Sequence, residues 1–239
     1  VFKTKKELNL YFKEFRSKNA KIGFVPTMGA LHKGHLSLIE ESSKENDITV
    51  ASIFVNPTQF DKKEDLDNYP KTLENDLNLL KKVACDVVFI PSVEEIYNNT
   101  ILALQFDFDG LENEMEGKYR EGHFNGVGTI VKKLFEIVLP THAYFGEKDF
   151  QQLQIIRKLV KKTALDVNIV CCATFREANG LAMSSRNARL TLQEKEAAAI
   201  IYQTLSGVKD KLEKLPLDAV HNWVLEQFEN QPLFELEYF

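Results

Sequence analysis

The stretch Thr27–Glu40, "TMGALHKGHLSLIE", holds two of the chain's five histidines, His32 and His35, three apart with Gly34 between them. Gly29, Lys33 and Gly34 interrupt the apolar pattern, so the segment reads as a loop becoming a helix. His35 falls in the first turn, and Leu36, Leu38 and Ile39 begin a buried face. A helix start offers unpaired N–H groups and a positive dipole end, which suits an anion. Two imidazoles there can also donate to phosphate oxygens while negative charge moves toward a leaving pyrophosphate. Zinc is the obvious alternative. The glutamate of a metalloprotease histidine pair is missing, however, and His123, His142 and His221 show no ligand spacing. A loop histidine beside a packed one is the plain reading of the same residues.

Three further stretches carry polar groups suited to binding. "GEKDFQQL" puts Lys148, a point cation for phosphate, beside Asp149, which could cap the helix that follows, with Gln152 one turn on. "AMSSRN" sets Ser184 and Ser185 before Arg186, a phosphate clamp on a mobile loop or merely a helix cap. "IFVNPTQF" ends with Asn56 and Gln59, neutral amides for a small polar substrate, around a turn fixed by Pro57. In "YREGHFNGVGT", Arg120 and His123 precede a helix, and His123 reads as a surface residue.

The elements that must hold these groups show a repeating order. "KIGFVPT", "DITVASIFVN", "DVVFIP", "THAYFGE" and "DVNIVCCAT" are apolar, β-branched runs of strand length. Between them lie helical patterns: Leu73, Leu77 and Leu80 in one; Val127, Ile130, Val131, Leu134 and Ile137 in another; Leu153, Ile156 and Val160 in a third. Buried strands alternating with amphipathic helices predict an α/β fold, an open parallel sheet with helices on both faces. Ligands in such folds sit beyond the carboxyl ends of the strands, where the polar stretches fall. Near Phe175 the pattern changes to long helices, "TLQEKEAAAIIYQTLSGVKDKLEK" and "LDAVHNWVLEQFEN", and then to "LFELEYF", which alternates like a strand. The expected division is a nucleotide- and substrate-binding domain over 1–174 and a C-terminal lid domain over 175–239, the latter incomplete.

Composition excludes several classes. Net charge is −5, without the basic footprint of general nucleic-acid or membrane-surface binding. No apolar run approaches the ~20 residues of a membrane-spanning helix. The N-terminal "VFKTKKELNLYFKEFRSKN" reads as a charged amphipathic helix rather than a secretory signal. Cys85, Cys171 and Cys172 are too few for a disulfide framework and are assigned to packing, so a cytoplasmic setting is expected.

In order along the chain, "FVPTMGALHKGH", "SIFVNPTQF", "YREGHFNGV", "YFGEKDFQQL" and "NGLAMSSRN" resemble the pantoate–β-alanine ligase (pantothenate synthetase) family of the nucleotidylyltransferase superfamily. The resemblance implies a Rossmann-like domain, a small α+β C-terminal domain and a homodimer. It implies ATP with Mg²⁺, and pantoate and β-alanine as the molecules joined through a pantoyl adenylate. It places ATP on Met28, Gly29, Ala30, Leu31, His32, Lys33, Gly34 and His35, on Gly146, Glu147, Lys148 and Asp149, and on Phe175, Met183, Ser184, Ser185 and Arg186. It places pantoate on Gln59 and Gln152, with Gln59 also near β-alanine, and Asn56 joins them as a substrate-binding candidate from its own stretch. His35, His32, Lys148 and Arg186 become the catalytic set, expected to act as cations around a phosphorus gaining charge. The magnesium ligands stay open, with Asp76 and Asp149 as candidates. Relatives usually carry Val at Phe175 and often Asp at Asn179. Rival readings are a nucleotidyltransferase for a phosphate ester and a non-catalytic nucleotide-binding protein.

Overall fold

Five short, largely β-branched runs form strands β1 (Ile22–Thr27), β2 (Ile48–Ile53), β3 (Val87–Phe89), β4 (His142–Gly146) and β5 (Asn168–Cys172) of a computed structural model that describes residues 1–98 and 100–239. All pair in parallel, in the order β3-β2-β1-β4-β5. The outer edge of β3 is covered by a parallel bridge from Phe2 to Phe89. Parallel strands need crossovers, and helices supply them. The helices are α1 (Lys5–Ser17), α2 (Lys33–Glu45), α3 (Lys63–Asp67), α4 (Leu73–Leu80), α5 (Val93–Tyr97), α6 (Glu116–Tyr119), α7 (His123–Val138), α8 (Phe150–Thr163), α9 (Leu192–Ala197), α10 (Ala199–Leu212) and α11 (Leu217–Glu229). The α/β class and the strand positions agree with the sequence.

Two apolar layers sandwich the sheet. On one side α1, α7 and α8 bury Leu8, Phe12, Val127, Ile130, Leu134, Phe135, Ile155 and Ile156 against Phe24, Val50 and Phe145. Each such side chain contributes roughly 1.5–3 kcal/mol when fully withdrawn from water. On the other, Leu38 and Ile39 of α2 and Leu80 of α4 pack on Val25, Ala51 and Tyr144. The strand order reverses between β1 and β4, since β1 leads through β2 to β3 while β4 leads to β5 on the opposite flank. Loops leaving strands on either side of such a reversal diverge and open a crevice. The histidine motif follows β1 and the "GEKD" segment follows β4.

Several expectations are corrected. Leu73 is exposed, so the buried stripe of α4 begins at Leu77, which packs beside Leu80. Cys171 is exposed because β5 is the outermost strand and turns that residue outward, while Cys172 packs on the sheet. Residues 175–239 form a separate compact unit. Its first long helix is divided into α9 and α10 at Ala198. Its β content is a single antiparallel bridge between Arg176 and Ala182, and "LFELEYF" lies in no strand.

Candidate active site

The loop from β1 into α2 accounts for its own amides. Gly29 and Ala30 both take left-handed backbone, at φ 84° and 50°. Their unusual geometry turns successive N–H groups inward. Gly29 donates to Thr27 Oγ1 at 3.2 Å, Ala30 to Asp76 Oδ2 at 2.9 Å and Leu31 to Asp76 Oδ1 at 2.8 Å. A β-carbon at Gly29 would come within 3.0 Å of Asp76 Oδ2, so glycine is required there for both space and φ.

The helix is then capped by the two imidazoles. His32, the N-cap residue, accepts the Gly34 N–H on Nδ1 at 3.2 Å, and His35 Nδ1 accepts the His32 N–H at 3.3 Å. This is the reciprocal geometry of a capping box, with rings in place of the usual hydroxyl and carboxylate. The two rings lie 4.1 Å apart between centroids. With Nδ1 accepting in both, a neutral ring carries its proton on Nε2. Burial, helped by the charges of His32 and Lys148, pushes His35 down to about 3. His32 is also lowered, first by burial and then by Lys148, with Asp149 opposing. Both shifts favour neutral rings that donate from Nε2 in the free protein over the histidine cations expected from the sequence. The expectation of open backbone N–H groups is corrected, because side chains hold those of residues 29–32 and 34.

At the β4 end, the charge of Lys148 lowers both histidines. The Lys148 ammonium sits 2.6 Å from Asp149, and Asp149 occupies the N-cap of α8 without a side-chain cap bond. The cap expectation for Asp149 thus gives way to an ion pair at the surface. The side-chain amide of Gln152 has no hydrogen-bond partner among the described residues and is half-buried. Its neighbour Gln151 is buried and spent on Glu116 N, Leu111 O and Glu114 O.

After β2, Pro57–Gln59 forms a 3₁₀ turn pressed against α7. Gly126 makes the approach possible, as a β-carbon there would sit 2.1 Å from Thr58 O. Asn56 is 1% exposed. Its Nδ2 donates to Gln59 Oε1 at 3.1 Å and Gly126 O at 3.2 Å, while its Oδ1 accepts Tyr97 OH at 2.5 Å and the Thr58 hydroxyl at 3.1 Å. An amide so committed holds the side chain of Gln59 in place. Gln59 Nε2 lies 3.2 Å from Met28 Sδ, so the β1 and β2 loops meet here. His123 is buried, contrary to the surface reading. Its Nδ1 lies 2.7 Å from Gln59 O and its Nε2 3.4 Å from Arg120, whose guanidinium pairs with Asp61.

The sequence model of the family described as pantoate-beta-alanine ligase matches residues 1–239. The chain belongs to the pantoate–β-alanine ligase family. Pantothenate synthetases of Flavobacterium psychrophilum and Christiangramia forsetii are 56% and 52% identical over the whole chain, which spans 85% of each. The crystal structure of the Thermus thermophilus pantothenate synthetase superposes with TM-score 0.91 at 39% identity, over 99% of this chain and 84% of that one. A Francisella tularensis pantoate-beta-alanine ligase, complexed with beta-gamma ATP and beta-alanine, superposes with TM-score 0.79 at 39% identity, over 94% of this chain and 84% of that one.

In this ligase Met28–His35, Gln59, Asn56 and the Gly146–Asp149 segment all lie in the unit 1–174 and at the carboxyl edge of the sheet. Phe175 and Met183–Arg186 lie in the unit 175–239. There Phe175 O accepts the Met183 N–H at 2.9 Å, and Ser184 Oγ caps the next turn by accepting from Arg186 N at 3.2 Å. Phe175 is exposed, so its backbone bond is compatible with any side chain at that position. Two residues matter more than the sequence suggests, His123 and Asp76. The sequence offers Asp76 as a magnesium candidate, but it is 1% exposed and holds Ala30, Leu31 and Thr72 instead. A carboxylate one turn into a helix, with a hydroxyl four residues earlier, is the available signal.

Proposed function

We propose that this ligase joins pantoate to β-alanine through a pantoyl adenylate formed from ATP. The pantoate carboxylate attacks the α-phosphorus as its bond to pyrophosphate breaks. The amine of β-alanine then attacks the acyl carbon, loses a proton and expels AMP. The single observation that carries this reading is the reciprocal cap, in which both Nδ1 atoms accept and each Nε2–H is left to donate, with the charge of Lys148 acting on both rings. Neutral donors with fixed tautomers suit a phosphorus whose oxygens gain charge, because they need no reorganisation as the charge arrives. Lys148 supplies the positive charge, and Ser184, Ser185 and Arg186 are proposed to close on the phosphate chain. Gln59 and Gln152 are proposed to hold pantoate. Gln59 now donates to a thioether, a weak acceptor that a substrate oxygen readily replaces.

Magnesium does not fit a protein-built site. No group of three or more His, Cys, Asp or Glu able to hold a metal occurs among the described residues, Asp76 is spent and Asp149 is paired. We propose that the ion arrives on the nucleotide's phosphate oxygens, a usual mode for magnesium, and no step here depends on it. A homodimer is inferred from the family resemblance and a cytoplasmic setting from the few cysteines, and no helix among the described residues is long and apolar enough to cross a membrane. The test is AMP and pyrophosphate release from ATP with each substrate omitted in turn. Pyrophosphate should require pantoate, and AMP should require pantoate and β-alanine together. Turnover that ignores pantoate would overturn the reading.

A further inference from the structure

The loop before the histidine pair is held by a carboxylate 44 residues downstream of His32. Asp76 stands in the first turn of α4 and is 1% exposed. Both its oxygens are committed to the β1–α2 loop, Oδ2 to Ala30 N–H at 2.9 Å and Oδ1 to Leu31 N–H at 2.8 Å. Thr72, the residue preceding α4, adds its hydroxyl to Oδ1 at 3.0 Å. The loop it grips contains Gly29 and Ala30 in succession at positive φ, a conformation that an alanine does not choose by itself. One residue past Leu31 the helix cap begins with His32.

We propose that Asp76 is a positioning residue for adenylation: its bidentate hold on Ala30 and Leu31 sets the reciprocal His32–His35 cap and so aims both Nε2–H donors. A carboxylate is needed because it accepts on both oxygens, whereas an amide of the same shape accepts on one and presents a donor to the other N–H. The assignment differs from a magnesium ligand, since three donors already engage both carboxylate oxygens and solvent barely reaches them. It deepens the function proposed above and rests on that reading for its effect on rate.

The test is Asp76→Asn in the full chain, with three readouts. Adenylate formation, followed as pyrophosphate release in rapid quench, should fall about 10–100-fold, the scale on which misplaced catalytic groups act, with the magnesium concentration for half-maximal rate unchanged. Nitrogen-15 spectra of the histidine rings should show the wild-type pair as single Nε2–H tautomers and the variant as tautomer mixtures. A rate within twofold of wild type, a rate restored by raising magnesium, or ring spectra identical to wild type would each overturn the assignment. Should the variant not fold, amide exchange in the wild-type protein decides. Ala30 and Leu31 are protected within their loop when the carboxylate holds them, and rapid exchange at both would refute it. A wild-type chain that released no pyrophosphate would remove the functional reading while leaving the ring and exchange measurements to judge the anchor.

Discussion

Replacing His35 by glutamine should flatten the acid side of the stability curve by an amount that the structure sets. Burial and the neighbouring charges hold His35 at about 3, against 6.5 for a free imidazole. Its folded value lies below its unfolded value, so the unfolded chain takes up the proton first. The stabilisation from keeping this ring neutral is complete above 6.5 and is lost as pH falls toward 3. Each unit in that window is worth ~1.4 kcal/mol. From pH 7 to pH 5 the ring alone removes about 2 kcal/mol of stability by proton linkage. Urea unfolding at pH 7, 6 and 5 reads this directly. The wild type should lose about 2 kcal/mol more than His35→Gln over that range. His32 and His123, both lowered by burial, remain in both proteins and cancel to first order. Equal slopes for the two proteins would refute the neutral ring and with it the fixed Nε2–H donor.

Three other perturbations separate the roles of neighbouring groups. Lys148→Ala should lower adenylation about a hundredfold, as loss of one charge-stabilising group does, with an unchanged melting temperature because its ion-pair partner is the adjacent Asp149 at the surface; rapid-quench pyrophosphate release checks it. Gln152→Ala should raise the pantoate Kd measured by calorimetry and leave ATP binding intact, and loss of ATP binding would transfer the residue to the nucleotide. Asn56→Ala should cost about 1–3 kcal/mol in urea unfolding, because Gly126 O and the Tyr97 hydroxyl lose a buried partner. It should also weaken pantoate binding through a freed Gln59, whereas full affinity would show that Gln59 is held elsewhere.

The strands and principal helices were legible because each buries a face whose period the sequence writes out. Val127, Ile130, Val131 and Leu134 can only be a helix with one side in a core. The polar stretches after β1, β2 and β4 were legible for the same reason, since strand ends define a ligand edge. Contacts across sequence distance were not. Nothing near His123 shows that Gln59 will cover it, and nothing near Asp76 reveals the loop 45 residues away that it will grip. The internal partners of Asn56, Gly126 and Tyr97, belong to other elements and leave no mark in its own stretch. The alternation of "LFELEYF" satisfied the strand period, but a strand also needs a neighbour with free backbone groups, which periodicity does not supply.

The imidazole cap has an electrical consequence. Each ring takes a backbone hydrogen on one nitrogen and offers another hydrogen from the opposite side, so it behaves as a conductor of polarisation. The positive pole of α2 is thereby carried outward beyond the last peptide group to the tips of two flat, rotationally locked side chains. A helix of ordinary composition thus acquires an extended electropositive prong, one that deepens as a negative oxygen approaches and needs no net charge of its own.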